Sequence, residues 1–184
     1  CYRYWPELSS DCRLMPKLLR DLTDYSMSDQ LTKQRSDLCN LLRRAFLSCL
    51  PLTEGTNKTL TYTSRVSCAY MPLDSPKMME ALLNLIVNAL DAVSDNGSVQ
   101  IILTKSNEQF VVSIIDDGCG IAPKQLLTIF HPFTTTKPDG TGLGLPVAKR
   151  IIEGHGGHIR VSSAPNQGAT FTFLLPCVFS SDRK

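Results

Sequence analysis

Glu80, Asn84, Asn88 and Asp91 are the polar exceptions in the otherwise apolar run MMEALLNLIVNALDAV. Their spacings of four, four and three place them on one face of a helix. Burying such groups without partners would cost on the order of 1–3 kcal/mol each, so the face needs either water or a ligand. Either the stripe is simply solvated, or it lines a pocket and presents amide and carboxylate oxygens to a hydrated cation. Asn is a poor helix former, and two of them four apart on so apolar a helix favour the pocket. Magnesium suits such a site: it takes oxygen ligands, keeps several waters and commonly uses one or two protein groups beside substrate phosphates.

Two further stretches carry chemistry. VVSIIDDGCGI runs a strand into Asp116 and Asp117, followed by Gly118 and Gly120. A carboxylate at a strand end, with glycines permitting close approach, can accept a hydrogen bond from an exocyclic amine such as that of adenine. The same Asp can instead bond its own backbone in a turn. TTTKPDGTGLGLPVAKR sets Gly140, Gly142 and Gly144 at alternate positions before a helical pattern. Glycines so placed let N–H groups approach an anion, and the helix start behind them adds partial positive charge. A flexible surface turn is the competing reading. The spacing is G-x-G-x-G after a long loop, so it is not the dinucleotide fingerprint, and the Walker pattern is absent.

These groups need elements to hold them. LMPKLLRDLTDY, from Leu14 to Tyr25, has a helical stripe that starts or kinks at Pro16. A second helix is predicted from about Asp37 to Leu50, with a polar connection, SMSDQLTKQRS, between the two. TLTYTSRVSCAYM suggests strand, and the stripe-bearing helix follows, capped by Asp74 or Ser75 and ended by Asn96-Gly97. SVQIILTK and QFVVSIID form a hairpin; PKQLLTIF is a short helix; LPVAKRIIEG is a longer one. HIRVSS and ATFTFLLP close the chain as a second hairpin around APNQG. Hairpins interleaved with helices predict an α+β fold: a two-layer α/β sandwich, its mixed sheet covered by helices on one face.

Composition bounds the partners. A chain of 184 residues with 42% hydrophobic and 20% charged residues is one globular domain with room for a core. Its net charge of +2, without an extended basic run, gives no case for nucleic acid or for membrane contact. No apolar stretch approaches the roughly 18–20 residues of a membrane span. The seven cysteines are an odd, scattered set without a C-x-x-C pair, which favours a reducing, cytoplasmic setting over disulfides or zinc. The opening CYRYWPELSS lacks a signal peptide's regions and an initiator Met, and reads as a piece of a longer chain whose parent is open to membrane anchorage.

Four segments in order, DSPKMMEALLNLIVNALDA, DDGCGI, FHPFTTTK and GTGLGLPVAKRIIEGHGG, resemble the N, G1, F and G2 boxes of sensor histidine kinases. The wider group includes DNA gyrase, MutL and a heat-shock chaperone. The closing hairpin favours the kinases, and the short stretch between Phe133 and Gly140 resembles the short lid of the nitrogen-regulation subgroup. The resemblance implies a Bergerat-type ATP-binding fold across residues 50–179. It also implies the end of a dimerisation hairpin and linker in residues 1–49, and a tail in residues 180–184. ATP and Mg2+ are the implied ligands.

By the same resemblance Asn88 coordinates the metal, supported by Asn84 one turn earlier. Asp116 accepts from the adenine amino group, with Gly118, Gly120 and Ile121 shaping the adenine pocket. Phe133, Thr135, Thr136 and Lys137 belong to the lid, with Lys137 reaching the terminal phosphate. Gly140, Thr141, Gly142, Leu143 and Gly144 offer their backbone to the phosphates.

There are departures from the pattern. Glu80 stands where many relatives carry Gln, His131 where Glu is usual, and Asp91 where many kinases have Lys. The three histidines, His131, His155 and His158, all lie within the ATP-domain boxes and none has the acceptor context H-E-[IL]-[RK]-N-P. The acceptor is therefore expected on a histidine-bearing hairpin of the parent chain or dimer mate, with a response regulator taking the phosphate onward. The chain itself is expected to be monomeric or weakly dimeric. A serine kinase of the anti-sigma type is the alternative enzyme, disfavoured by GTGLGL and the hairpin-like start. A degenerate docking domain is disfavoured by intact Asn88, Asp116, Lys137 and the box glycines.

Overall fold

FVVSIID and ATFTFLLP form two strands whose residues are alternately buried in the core and half-buried on the opposite face. In the computed structural model, which describes residues 30–137 and 140–177, they pair at the centre of the sheet. The chain runs β1 (Gln34–Asp37), α1 (Leu38–Cys49), β2 (Thr59–Ser64), β3 (Tyr70–Leu73) and α2 (Ser75–Ala92). It continues through β4 (Ser98–Ser106), β5 (Gln109–Asp116), α3 (Pro123–Leu126), α4 (Gly144–Gly154), β6 (His158–Ser163) and β7 (Ala169–Pro176). The main sheet has the order β2-β4-β5-β7-β6, parallel between β2 and β4 and antiparallel elsewhere. It is the mixed sheet of the expected α+β sandwich.

One face of that sheet is buried. Val99, Ile101, Leu103, Val112, Ile114, Phe171, Phe173 and Leu175 point from it into a single core with Leu82, Leu85 and Ile86 of α2 and Ala148 and Ile152 of α4. A side chain of this size contributes about 1.5–3 kcal/mol when fully buried, so these contacts fix the helical layer on the sheet.

The elements differ from the sequence reading in several places. Part of the polar connection is β1, which pairs antiparallel with β3. The core also reaches back through Ala45, Leu42 and Leu38 of α1. The single strand expected from Thr59 is two, because Ser64 turns the chain: its hydroxyl donates to the Val66 carbonyl at 2.6 Å, and β2 and β3 join different sheets. Helix α2 stops at Ala92, short of Asn96-Gly97, where Val93 becomes extended. The carbonyl of Ala92 then accepts from Cys119 N–H at 3.2 Å, which fastens the end of α2 to the glycine turn after β5.

The other end of α2 is fastened more elaborately. Asp74 caps it by accepting from Lys77 N–H at 3.1 Å, and its second oxygen accepts from Thr32 N–H at 2.9 Å. Its own N–H donates to His155 Nε2 at 2.9 Å, and His155 Nδ1 lies 2.7 Å from the Ile151 carbonyl. A carbonyl only accepts, so Nδ1 carries the proton and the buried ring is neutral. His155 is thus a structural clasp between the cap of α2 and the end of α4, whereas His158 is exposed on β6. The predicted helix at Leu14–Tyr25 and the tail at 180–184 lie outside the described residues. Cys39, Cys49, Cys68, Cys119 and Cys177 are all free thiols. Among the described residues no helix is long and apolar enough to cross a membrane.

The clasp makes a prediction. Burial depresses the His155 pKa, helped by Lys33 and opposed by the Ile151 carbonyl and Asp74. The unfolded chain therefore takes up its proton first, and the clasp loses stability as pH falls below about 6.5 until the folded pKa is passed. His155→Ala is expected to cost about 1–3 kcal/mol at pH 8 and to flatten that acid slope, read by urea unfolding at pH 8 and pH 5.5. An unchanged slope would contradict the assignment.

Candidate functional site

A cleft of about 790 Å³ opens between α2 and the segment that leads into α4. Helix α2 supplies one wall with its whole polar stripe, Glu80, Asn84, Asn88 and Asp91, and with Leu83 and Val87 beside it. Thr134, Thr135, Thr136 and Lys137 face it from the lid, and Gly140, Thr141, Gly142, Leu143 and Gly144 follow. Gly120, Ile121, Gln125, Ile129, Leu145 and Val147 complete the lining. The stripe faces a pocket and not open solvent alone, and the glycine run belongs to the same pocket. Asp116, Gly118 and Phe133 are expected site residues that do not line the cleft.

Asp116 lies beneath the glycine turn, 4% exposed. Its Oδ1 accepts from Gly118 N–H at 3.0 Å and Ala169 N–H at 3.1 Å, so the turn-forming role does exist. Its Oδ2 accepts no hydrogen bond among the described residues. Burial raises the Asp116 pKa, partly offset by those two N–H donors, and the neighbouring Asp117 charge adds to the rise. Asp117 goes the other way: exposed, it accepts from Ser98 N–H at 2.8 Å and Ser98 Oγ at 2.7 Å, which lower its pKa. Two adjacent carboxyls therefore take different parts, one tying β4 to β5 and one with an oxygen to spare beside the turn.

The glycines are demanded by packing. Gly120 has φ +67, and a Cβ there would run into the Ala164 carbonyl. Gly142 has φ +66, and a Cβ there would stand 2.5 Å from the Phe133 carbonyl carbon. Phe133 N–H donates to the Gly142 carbonyl at 3.0 Å, so the two ends of the lid are stitched together. The Phe133 ring is mostly exposed. Leu143, fully buried, is the N-cap of α4 and supplies no side-chain cap, so the first-turn N–H groups of α4 have no capping side chain. Gly144 lies next to Asn84: a Cβ there would stand 3.4 Å from Asn84 Oδ1. An uncapped helix N-terminus beside an amide oxygen is a site for an anion that carries its own cation.

Lys137 is engaged with α2. Its Nζ donates to Asn88 Oδ1 at 2.8 Å and to Asp91 Oδ2 at 2.8 Å. Glu80, the other carboxylate of the stripe, pairs with Lys77 at 2.9 Å. Sequence reasoning did not single out Leu83, Val87, Gln125, Ile129, Leu145 and Val147, which also line the cleft. Leu83 and Val87 precede Asn84 and Asn88 by one residue, so the helical pattern contained them; the others arrive through the tertiary fold.

The family model described as "Histidine kinase-, DNA gyrase B-, and HSP90-like ATPase" matches residues 73–178. The sensor histidine kinase ZraS of Salmonella typhimurium is 31% identical over 172 residues, covering 93% of this chain and 37% of its own length. This chain therefore spans about a third of that curated relative. Among solved structures, the catalytic domain of histidine kinase ThkA aligns with a TM-score of 0.72 at 29% identity, over 78% of this chain and 95% of that one. Full-length ShkA in complex with AMPPNP aligns with a TM-score of 0.80 at 26% identity, over 90% of this chain and 36% of that one.

The geometry at Asp116 separates support of the fold from service to a ligand. Asn in its place keeps an oxygen for the Gly118 and Ala169 donors and removes a desolvated charge. Because the raised pKa means that ionised Asp116 opposes folding at neutral pH, Asp116→Asn is expected to hold or raise stability, within about 1 kcal/mol. Urea unfolding at pH 7 checks this, and a loss well beyond that size would make Asp116 a structural residue.

Proposed function

The chain belongs to the histidine kinase-, DNA gyrase B-, and HSP90-like ATPases, and from that membership we propose that it binds ATP with Mg2+ and delivers the terminal phosphate to a histidine on a separate hairpin. Within the family it is a histidine-kinase ATPase domain, the class of its relatives and structural neighbours. The observation that carries the proposal is the convergence of three features on one cleft: the amide-bearing face of α2, the uncapped start of α4, and Gly120 and Ile121 at the end of the turn that covers Asp116. The AMPPNP named with ShkA belongs to that protein and supports a nucleotide here.

Each part then has a task. Asp116 Oδ2 accepts from the adenine amino group, with Gly118, Gly120 and Ile121 around the ring. The backbone from Gly140 through Thr141, Gly142 and Leu143 to Gly144 meets the phosphates, with Thr135 and Thr136 on the lid above. Phe133 holds the lid through its bond to Gly142. An oxygen donor set fits Mg2+, and the site already holds a cation, since Asn88 Oδ1 receives an ammonium. Asn88 would hold the metal and Asn84 would stand behind it; Mg2+, when bound, neutralises phosphate charge. The remainder is positioning for in-line transfer, in which little covalent chemistry falls to the protein.

His155 is buried with both ring nitrogens engaged, and His158 sits on an exposed strand. Neither suits an acceptor, and the proposal places the acceptor on a hairpin of the parent chain or of a dimer mate. A response regulator then receives the phosphate, in a cytoplasmic setting.

Titration calorimetry tests this. ATP is expected to bind more tightly with Mg2+ than in EDTA. Asn88→Ala is expected to lose roughly tenfold or more of the Mg2+ benefit, and Asp116→Asn to lose detectable binding while remaining folded. Phosphate appearing on a histidine hairpin added in trans completes the test. Absence of nucleotide binding would leave a docking domain, and transfer to a serine substrate in place of the hairpin would make the chain a serine kinase.

A further inference from the structure

We propose that Asp91 is a second protein oxygen for the divalent cation, and that Lys137 holds that position as a resident cation until metal and nucleotide arrive together. The proposal rests on the ATP reading above and extends it to a residue in the cleft whose role that reading leaves open. Asn88 and Asp91 are three apart on α2, so their side chains share one face. Both reach the same point: Lys137 Nζ lies 2.8 Å from Asn88 Oδ1 and 2.8 Å from Asp91 Oδ2. Two oxygens converging on one ammonium form a cation position, and Asp91 supplies its negative charge. Glu80, the next carboxylate on the stripe, is occupied by Lys77.

Magnitudes decide what kind of contact this is. The Lys137 and Asp91 side chains are 41% and 52% exposed, and an ion pair so open to water is worth about 0–1 kcal/mol. That is too little to lock the cleft and enough to choose a resting position for the lid. A hard divalent ion carries twice the charge of an ammonium and prefers oxygen ligands, so it is the stronger occupant. The displaced Lys137 remains on a lid that borders the cleft, where a mobile point charge suits a phosphate.

The exchange has a consequence for affinity. ATP without metal meets a carboxylate of its own sign and a lysine already committed to α2. ATP with metal satisfies Asp91 and frees Lys137 in one step. Asp91 therefore sets how strongly the cleft prefers the metal complex over free ATP. Removing its charge should weaken the first and strengthen the second.

The experiment compares the unaltered chain with Asp91→Asn, which keeps the side chain's shape. ATP affinity is measured by calorimetry in Mg2+ and in EDTA, and hydrogen exchange of residues 134–137 and 140–144 is followed without nucleotide. Asp91→Asn is expected to shrink the ratio of the two affinities by roughly tenfold, the scale of one screened contact with a divalent ion. Part of that change is expected as tighter binding in EDTA, and the lid is expected to exchange faster. Faster exchange with an unchanged ratio would make the pair a lid tether and overturn the metal role. Normal Mg2+-dependent binding in the unaltered chain, with the same ratio in Asp91→Asn and no change in exchange, would overturn this proposal alone. An unaltered chain that binds no ATP in either buffer would overturn the functional reading, and this proposal with it.

Discussion

Helix α2 has to bury its apolar bulk while keeping one polar face open, and the rest of the structure follows from that constraint. The sheet takes Leu82, Leu85 and Ile86, and α1 and α4 join the same core. What remains uncovered is the face with Asn84, Asn88 and Asp91, turned toward the start of α4. The cleft is thus the space left by packing an amphipathic helix whose apolar surface extends well around its circumference.

A site of this kind needs its helix held in register, and α2 is held at both ends. At the start, Asp74 accepts from Lys77 and Thr32 and donates its own N–H to His155. At the finish, the Ala92 carbonyl accepts from Cys119, and Lys58 Nζ donates to the Leu90 carbonyl at 2.9 Å. The first set joins α2 to α4, whose start has no side-chain cap. The second joins it to the turn over Asp116. The elements that would meet the two ends of a nucleotide are therefore tied to the same helix, while the lid is tied by the Phe133–Gly142 bond and by one half-exposed ion pair. Rigid walls with a weakly held cover suit a ligand that must be positioned closely and then released.

Charge is apportioned with the same economy. Asp116 and Asp117 are neighbours in sequence, yet Asp116, the last residue of β5, is buried and Asp117, just beyond the strand, is exposed. Burial raises the first and the Ser98 donors lower the second. The same difference of environment distinguishes Glu80, paired on its own helix, from Asp91, paired across the cleft. Residue type alone does not distinguish the members of either couple.

Much of this was legible in the sequence because it depends on local periodicity. The polar stripe of α2 follows from a spacing of four, four and three, the two hairpins from period-two alternation, and the Gly-rich turns from residues that tolerate positive φ. Those patterns specify faces and turns, and the order of four short motifs was enough to point to an ATP cleft. The rest required the tertiary structure, because it depends on which distant segments meet. That α1 joins the core, that α2 ends at Ala92, and that His155 clasps Asp74 each rest on contacts between residues far apart in the chain. The partner of Lys137 is of the same kind: a lid lysine and an Asp on α2 are 46 residues apart. Sequence determines which side of a helix a carboxylate occupies; only the folding of the lid across α2 decides which cation it faces.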